Sequence, residues 1–481
     1  MLKKKYTHKS DLKIGMFAIG TDAYWPQFDG LEKRLLGYID ELEAKLKMLH
    51  PNIVNAGLID TVDKAFEAGR FFKKEDVDII FLYVTTYALS KTVLPVVQRA
   101  RVPVIILNLS PGEAIDYKSF NALNDRTKMT GEWLAYCSAC PVPEIANVFK
   151  RCGVRFHQVT GVLHNDPVCW DEIREWIEAA KVAHTMAYNR MGCMGHYYCG
   201  MVDVYTDITQ QQAAFGGHFE LLEVEELTSI RKEVTETEIE NRLKLFHEVF
   251  DVQPDCSQKY LRQAAMTSVA LDKLVEKYKL GSMAYYYMGT GSDNEETIAS
   301  IILGNSLLTA NGIPVAGEYE VKNAQAMKIL DSFGVGGSFT EYYSMDFKDD
   351  VVLMGHDGPG HIAISEGKTK VRPLEVYHGK VGSGLSVEMM VKNGPVTLLS
   401  VIEKMGGGVQ LLVAEGESVP GPILQIGNTN SRYKFPIGAR NFVNAWNING
   451  PAHHCAVGVS HIASRLQKFA DILGIEMIKV C

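Results

Sequence analysis

The sequence predicts an α/β protein: two doubly wound parallel-sheet domains followed by a β-rich, antiparallel, barrel-like carboxyl-terminal domain. Three observations carry this. Short runs that are apolar on both faces alternate with helical patterns through the first two thirds of the chain. Period-two runs take over after Ser338. A length of 481 residues exceeds what one hydrophobic core holds. The domain limits read from these changes are 1–172, 173–331 and 332–481. With 46% apolar and 22% charged residues, the composition is that of a soluble globular protein.

In the first domain, strands are expected at 13–20, 52–59, 78–85, 103–110 and 155–163, with helices at Leu31 to Leu49 and Val62 to Phe72 between the first three. Helical crossovers between two-sided apolar strands imply a parallel sheet, whose ligands gather at the carboxyl ends of its strands. That draws attention to GTDAYWPQFDG after the first strand and VTTYALS after the third. A linker-like HNDPVCWDE leads into a long helix over 170–190. Strands then follow at 202–207, 219–227 and 282–289, with helices near 233–250, 257–278 and from Asn294. Two glycine-rich pieces, MGTGSDN and FGVGGSF, lack the strand, GxGxxG and helix order of a dinucleotide site. In the last domain the alternating runs lead to two helices, Gly438 to Ala445 and His461 to Leu473, and a closing strand IEMIKV. Asn393-Gly394 lies between two alternating runs and is expected to form a turn.

A formal charge of −8 argues against general nucleic-acid or anionic-membrane binding, which need a basic face. The lysines Lys3 to Lys5 are followed by polar sequence where an export signal needs apolar residues. No run approaches the roughly 18 apolar residues of a membrane span, so a cytoplasmic location is expected. Nine scattered cysteines, an odd number, do not suggest a disulfide framework. Cys137-Ser-Ala-Cys140 has redox-motif spacing, but it sits in a helical pattern and is expected to hold buried structural thiols.

Four residues point to chemistry: Glu318 in VAGEYEVKNA, Glu341 in GGSFTEYYSMDF, His356 in VVLMGHDGPGH and His454 in NGPAHHCAVG. Glu318 is expected at a helix start, where the helix dipole alone would favour a carboxylate. Glu341 interrupts an aromatic strand; Phe339, Glu341 and Tyr343 share one face, and the pattern leaves open whether that face meets the interior or solvent. His356 ends an apolar strand, with His361 as a rival ligand close by. His453 and His454 would face opposite ways on a strand, one able to ligate a metal while the other contacts substrate. Carboxylate and imidazole donors without thiolates favour Mn²⁺, Co²⁺ or Mg²⁺ with open positions. Such an ion chelates adjacent oxygens of a hydroxy-carbonyl compound and stabilises an enediolate, and two carboxylates beside it can move a proton between neighbouring carbons.

At these motifs the chain resembles the L-arabinose isomerase family, within the wider group that includes L-fucose isomerases. AGEYEVKNAQAM is similar to the family's Ala-Gly-Glu-Gly-Asp-Trp-Lys-Thr-Ala segment, and SFTEYY to its Ser-Phe-Met-Glu-Asp-Tyr segment. VVLMGHDG matches the strand that ends in the metal-binding histidine, and GPAHHCAV is similar to Gly-Gly-Ala-His-His. The resemblance implies Glu318, Glu341, His356 and His454 as metal ligands, the two glutamates also serving as acid and base. It further implies a homo-oligomer, trimer or hexamer, with active sites shared between subunits and a sugar as the small-molecule partner.

Departures from the family lie around the sugar. Where the family has Gly-Ser-Gln-x-Leu-Tyr-Gly, this chain reads GTDAYWPQFDG, making Asp22 and Trp25 candidate sugar contacts with Tyr24 and Gln27 beside them. Tyr287 and His453 complete the substrate-contact candidates. The family's Gln-Thr-Ala-His-Gly-Gly segment is replaced by NDRTKMTGEW, and the Asp after the second glutamate is Tyr342. The expected activity is therefore an aldose–ketose isomerase for a pentose, hexose or deoxy sugar. A sugar epimerase or a non-catalytic sugar-binding protein on the same scaffold are the alternatives.

Overall fold

A computed structural model describes residues 11–286, 288–374 and 383–481. Contacts divide the described chain into two compact units, 11–184 and 185–481. The first unit is built on strands β1 (Ile14–Ile19), β2 (Ile53–Ile59), β3 (Ile79–Val84), β4 (Val104–Ser110) and β5 (Phe156–Val162), all parallel in the order β2-β1-β3-β4-β5. β1 and β3 are buried along their whole length, as their unbroken apolar sequences require. Leu35, Ile39, Leu42 and Leu46 line the buried face of helix Leu31–Leu49 at the three- and four-residue spacing of an amphipathic helix. One expectation fails here. The helix Arg126–Leu134 ends before the CxxC segment, and Cys137 and Cys140 are joined in a disulfide instead of remaining free thiols.

The second unit opens with β6 (Arg190–Met194), β7 (His218–Leu222), β8 (Asp251–Val252), β9 (Ser282–Tyr285) and β10 (Val315–Ala316). β10-β9-β6-β7 form a four-stranded parallel sheet. Two segments expected as strands differ. Residues 202–204 form a single 3₁₀ turn, and the run expected as a strand over 219–227 changes from β7 to helix Val224–Lys232 after Glu223. The charges of Glu225 and Glu226 in the helix's first turn and of Arg231 and Lys232 in its last suit its dipole, so the alternation there was a coincidence of spacing.

The β-rich part contains β11 (Ser338–Asp346), β12 (Val351–His356), β13 (Lys370–Leu374), β14 (Gly384–Glu388), β15 (Gly394–Glu403), β16 (Val409–Val419), β17 (Thr429–Lys434), β18 (His454–Val459) and β19 (Glu476–Lys479). Antiparallel pairings run β15-β18-β11-β12-β17-β16 and return from β16 to β15, closing a barrel with β19 laid parallel on β16. Its packed core takes Val352 and Met354 from β12, Leu398 from β15, Leu412 and Ala414 from β16, and Cys455 and Val457 from β18, capped by Phe442 and Trp446 of helix Ala439–Ile448. Asn393-Gly394 precedes β15 but makes no hairpin: β14 pairs with β13, and β15 with β16 and β18. No helix among the described residues is long and apolar enough to cross a membrane.

Between the small parallel sheet and the barrel lies helix Val321–Ser332, buried from Val321 to Asp331. Its two lysines are tied to backbone carbonyls, Lys322 to Asp203 and Lys328 to Gly312, which satisfies charges that burial would otherwise penalise. The barrel tolerates no side chain at Gly355: a Cβ there would stand 1.8 Å from the Thr429 carbonyl oxygen, across the β12–β17 ladder. Gly355→Ala is expected to lower stability by about 3 kcal/mol, the upper end of ordinary overpacking, read as an earlier midpoint in denaturant unfolding. An unchanged midpoint would contradict this register.

Candidate active site

The acid and the imidazole of the site share a rung. In the β11–β18 ladder Glu341 is directly opposite His454, and in the β11–β12 ladder it is opposite Gly355, one residue before His356. Direct partners in an antiparallel ladder project from the same face, so the Glu341 and His454 side chains emerge together. Alternation along β11 then resolves the question of faces. Tyr342 packs into the barrel core, while Phe339 lies with its ring centre 4.2 Å from that of His454 and 4.5 Å from that of His356.

Glu318 approaches from the other side. It is not in the helix: it precedes helix Val321–Ser332, whose N-cap is Glu320, and both Glu318 (φ 57°) and Tyr319 (φ 59°) are left-handed. Non-glycine residues held in that region cost about 1–3 kcal/mol each and persist where surroundings hold them, which is common at functional sites. Here the Tyr319 amide donates to the Tyr285 carbonyl at 2.8 Å, and its buried ring packs edge-on against Tyr197 at 4.8 Å. The Glu318 carboxylate consequently lies 3.6 Å from His454 Nε2, 3.7 Å from His453 Nε2 and 4.0 Å from His356 Nε2.

Each histidine of the pair is backed by a carboxylate that sequence reading missed. His454 Nδ1 lies 2.5 Å from Oε2 of the buried Glu320, and His453 Nδ1 lies 2.6 Å from Asp203 Oδ2, which also accepts from the His453 amide at 3.0 Å. A carboxylate behind Nδ1 fixes the tautomer and turns Nε2 outward, the usual support of a metal-binding imidazole. Glu320 had a signal in the sequence, the two glutamates of GEYE. Asp203 had none, being 250 positions from His453 in the chain.

Burial raises the carboxyl of Glu341 above its ordinary value; His454 and His453 oppose the shift, while Glu318 and Asp357 add to it. For His453 burial opposes the charged form, but Glu318 and Asp203 outweigh it and push the imidazole up to about 9. Glu318 Oε2 and His454 Nε2 are both buried without a hydrogen-bond partner. An unpaired carboxylate oxygen and an imidazole nitrogen facing one another are the donors a divalent ion takes. With His453 they form a group whose ligand atoms all lie within 4.8 Å of one another. The residues therefore fit a metal on their donor chemistry.

Other expected site residues fall elsewhere. His361, the rival ligand, faces Asp331, with Nε2 3.9 Å from Oδ1. Asp22, Tyr24, Trp25 and Gln27 group in the first unit, in the turn after β1; the Trp25 indole donates to Asp60 at 2.9 Å and the Gln27 amide to the Ala23 carbonyl at 2.6 Å. Asp22 and Gln27 are exposed there. Tyr287 lies outside the described residues.

Residues 336–476, which hold Glu341, His356 and both adjacent histidines, match the family model of the L-arabinose isomerase C-terminal domain. That match, with the relatives below, is what a divergent relative of the L-arabinose isomerases would show. It is 25% identical over 324 residues to the L-arabinose isomerase of Herpetosiphon aurantiacus, covering 64% of each chain. It is 22% identical over 355 residues to that of a Nocardioides species, covering 70% of this chain and 68% of the other. The L-arabinose isomerase of Geobacillus thermodenitrificans gives 22% identity over 352 residues, covering 70% and 69%. The match thus spans less than two thirds of the Herpetosiphon protein's length.

Tyr342 stands where the family carries an acidic residue, and its hydroxyl is buried without a hydrogen-bond partner. Tyr342→Phe removes only that unsatisfied group, so stability should hold or rise by up to about 1 kcal/mol. A loss of more than about 1 kcal/mol on thermal unfolding would contradict the placement of Tyr342.

Proposed function

We propose that this protein is a metal-dependent aldose–ketose isomerase acting on a pentose, hexose or deoxy sugar. The observation that carries the reading is the convergence of Glu318 on the rung formed by Glu341 and His454, inside a domain that matches the isomerase family. Glu318, Glu341, His356 and His454 would hold the ion, Mn²⁺ first and Co²⁺ or Mg²⁺ as alternatives. When bound it supplies Lewis-acid polarisation of adjacent substrate oxygens.

The remaining work falls to the side chains. Burial makes Glu341 a stronger base than an exposed carboxylate, which brings it nearer the range where general acid–base catalysis is effective. One glutamate takes the proton from the carbon beside the carbonyl and returns it to the neighbouring carbon. The other passes the hydroxyl proton between the two oxygens, so no proton is gained or lost overall. His453, anchored by Asp203 and with its side chain 35% exposed, donates to a substrate hydroxyl. Phe339 covers the imidazoles of His356 and His454 on one side and keeps water from them.

The reading extends to a cytoplasmic homo-oligomer, trimer or hexamer, in which Asp22, Tyr24, Trp25 and Gln27 contact the sugar in a neighbouring subunit's site. Which sugar is used depends on those contacts, because a site built to hydrogen-bond particular hydroxyls rejects analogues that leave its polar groups unpaired.

A screen of aldoses with added Mn²⁺, following ketose formation, tests the proposal. Wild-type protein should convert at least one aldose and lose that activity on chelation. Glu341→Gln should fold normally and turn over at least about 10²-fold more slowly, the lower range for loss of a general base. Full turnover in chelated protein or in the Gln variant would reject the reading.

A further inference from the structure

The helix that leads from Glu318 and Glu320 at one end carries Asp331 at the other, and there the surface opens into a cleft of about 750 Å³ within the second unit. None of Glu318, Glu341, His356, His453 or His454 lines it. Its floor is polar and deeply buried: Asp331 is 5% exposed, His361 2%, Ser365 5% and Thr369 3%. Both ring nitrogens of His361, the Ser365 hydroxyl and the Thr369 hydroxyl are buried without a hydrogen-bond partner. Folded proteins leave few such atoms unmet, and here four of them line one opening.

The chemistry of the floor selects its occupant. The Ser365 and Thr369 hydroxyls each donate and accept, and the two His361 ring nitrogens add hydrogen-bonding positions beside them; the group that answers all of them is another hydroxyl. A buried carboxylate disfavours an anion, and at the rim the exposed Lys368 and Lys392 are set against the exposed Glu248, so neither sign of charge is selected. The walls contributed by Leu245, Val249, Ile362 and Val459 are aliphatic, suited to the C–H face of a polyol or sugar ring. We propose that this cleft is a second binding site, separate from the catalytic cluster, for a small uncharged polyhydroxylated molecule. It does not rest on the isomerase reading.

The test is saturation-transfer NMR on the full-length protein with xylitol, ribitol and a set of neutral monosaccharides, with Mn²⁺ present and again after chelation. Ala363→Trp blocks the mouth, and Asp331→Asn alters the floor; both are compared with wild type in thermal unfolding and sedimentation. The expected result is saturable binding that survives chelation, is unchanged in Glu341→Gln, and weakens about tenfold or more in both cleft variants, as losing one charge-assisted hydrogen bond would produce. Three results overturn the proposal. One is absence of any saturable binding after chelation. Another is equal binding in folded cleft variants. The third is a change of assembly size in Ala363→Trp, which would make the cleft a subunit interface. Loss of isomerase activity alone leaves the proposal standing.

Discussion

The candidate site depends on two consecutive left-handed residues. With Glu318 and Tyr319 both at positive φ, the chain reverses just before the buried helix Val321–Ser332 and aims the Glu318 carboxylate back toward the barrel. An ordinary helix start would have committed that carboxylate to the helix's own amide groups. The turn is held by the Tyr319 amide bond to the Tyr285 carbonyl and by the buried Tyr319 ring, so the small parallel sheet fixes where the acid of the β-barrel site stands. Glu320, one residue farther on, uses the same reversal to reach His454. Strain in the backbone is thereby exchanged for two carboxylates placed within reach of one imidazole.

The barrel supplies the other half through its register. Opposite positions in antiparallel strands share a face, and Glu341 opposite His454 puts a carboxylate and an imidazole side by side without any long side-chain reach. The alternate positions, Tyr342 on β11 and Cys455 on β18, go to the packed core. A one-residue slip would therefore carry the Glu341 carboxylate into the packed core and turn Tyr342 out of it. The glycine at 355 keeps the neighbouring β17 strand close enough for His356 to exchange hydrogen bonds with Thr429, at 2.9 Å each way. Fold stability and site geometry are thus set by the same rungs.

Much of this was legible in the chain. The strands of the first sheet and the helix Leu31–Leu49 stand within a residue or so of the expected positions, because two-sided apolar runs and three-to-four spacing have few alternative readings. The third-domain helices at Ala439–Ile448 and Ala463–Leu473 were similarly clear. The short strand Arg190–Met194 escaped, being only five residues with a glycine and two methionines. Residues 202–204 misled because a valine–aspartate–valine alternation also fits a turn that presents Asp203 to His453. Glu318, Glu341, His356 and His454 could be singled out as candidates from motif and order. Their supports could not: Asp203 acts across 250 positions, and the left-handed geometry at Glu318 and Tyr319 is imposed by tertiary contacts on residues with no preference for it.

In the proposed reaction, carboxylates of this chain carry a proton between adjacent carbons of a sugar. This transfer is tested most directly by turning over the accepted aldose in deuterated water and locating label in the ketose by NMR. Proton transfer through Glu318 and Glu341 predicts deuterium at the single carbon that receives the proton, in one stereochemical position, since a carboxylate's proton exchanges with solvent between steps. A ketose that keeps the aldose's own hydrogen in full, with no solvent deuterium at that carbon, would contradict the account and point to direct hydride migration.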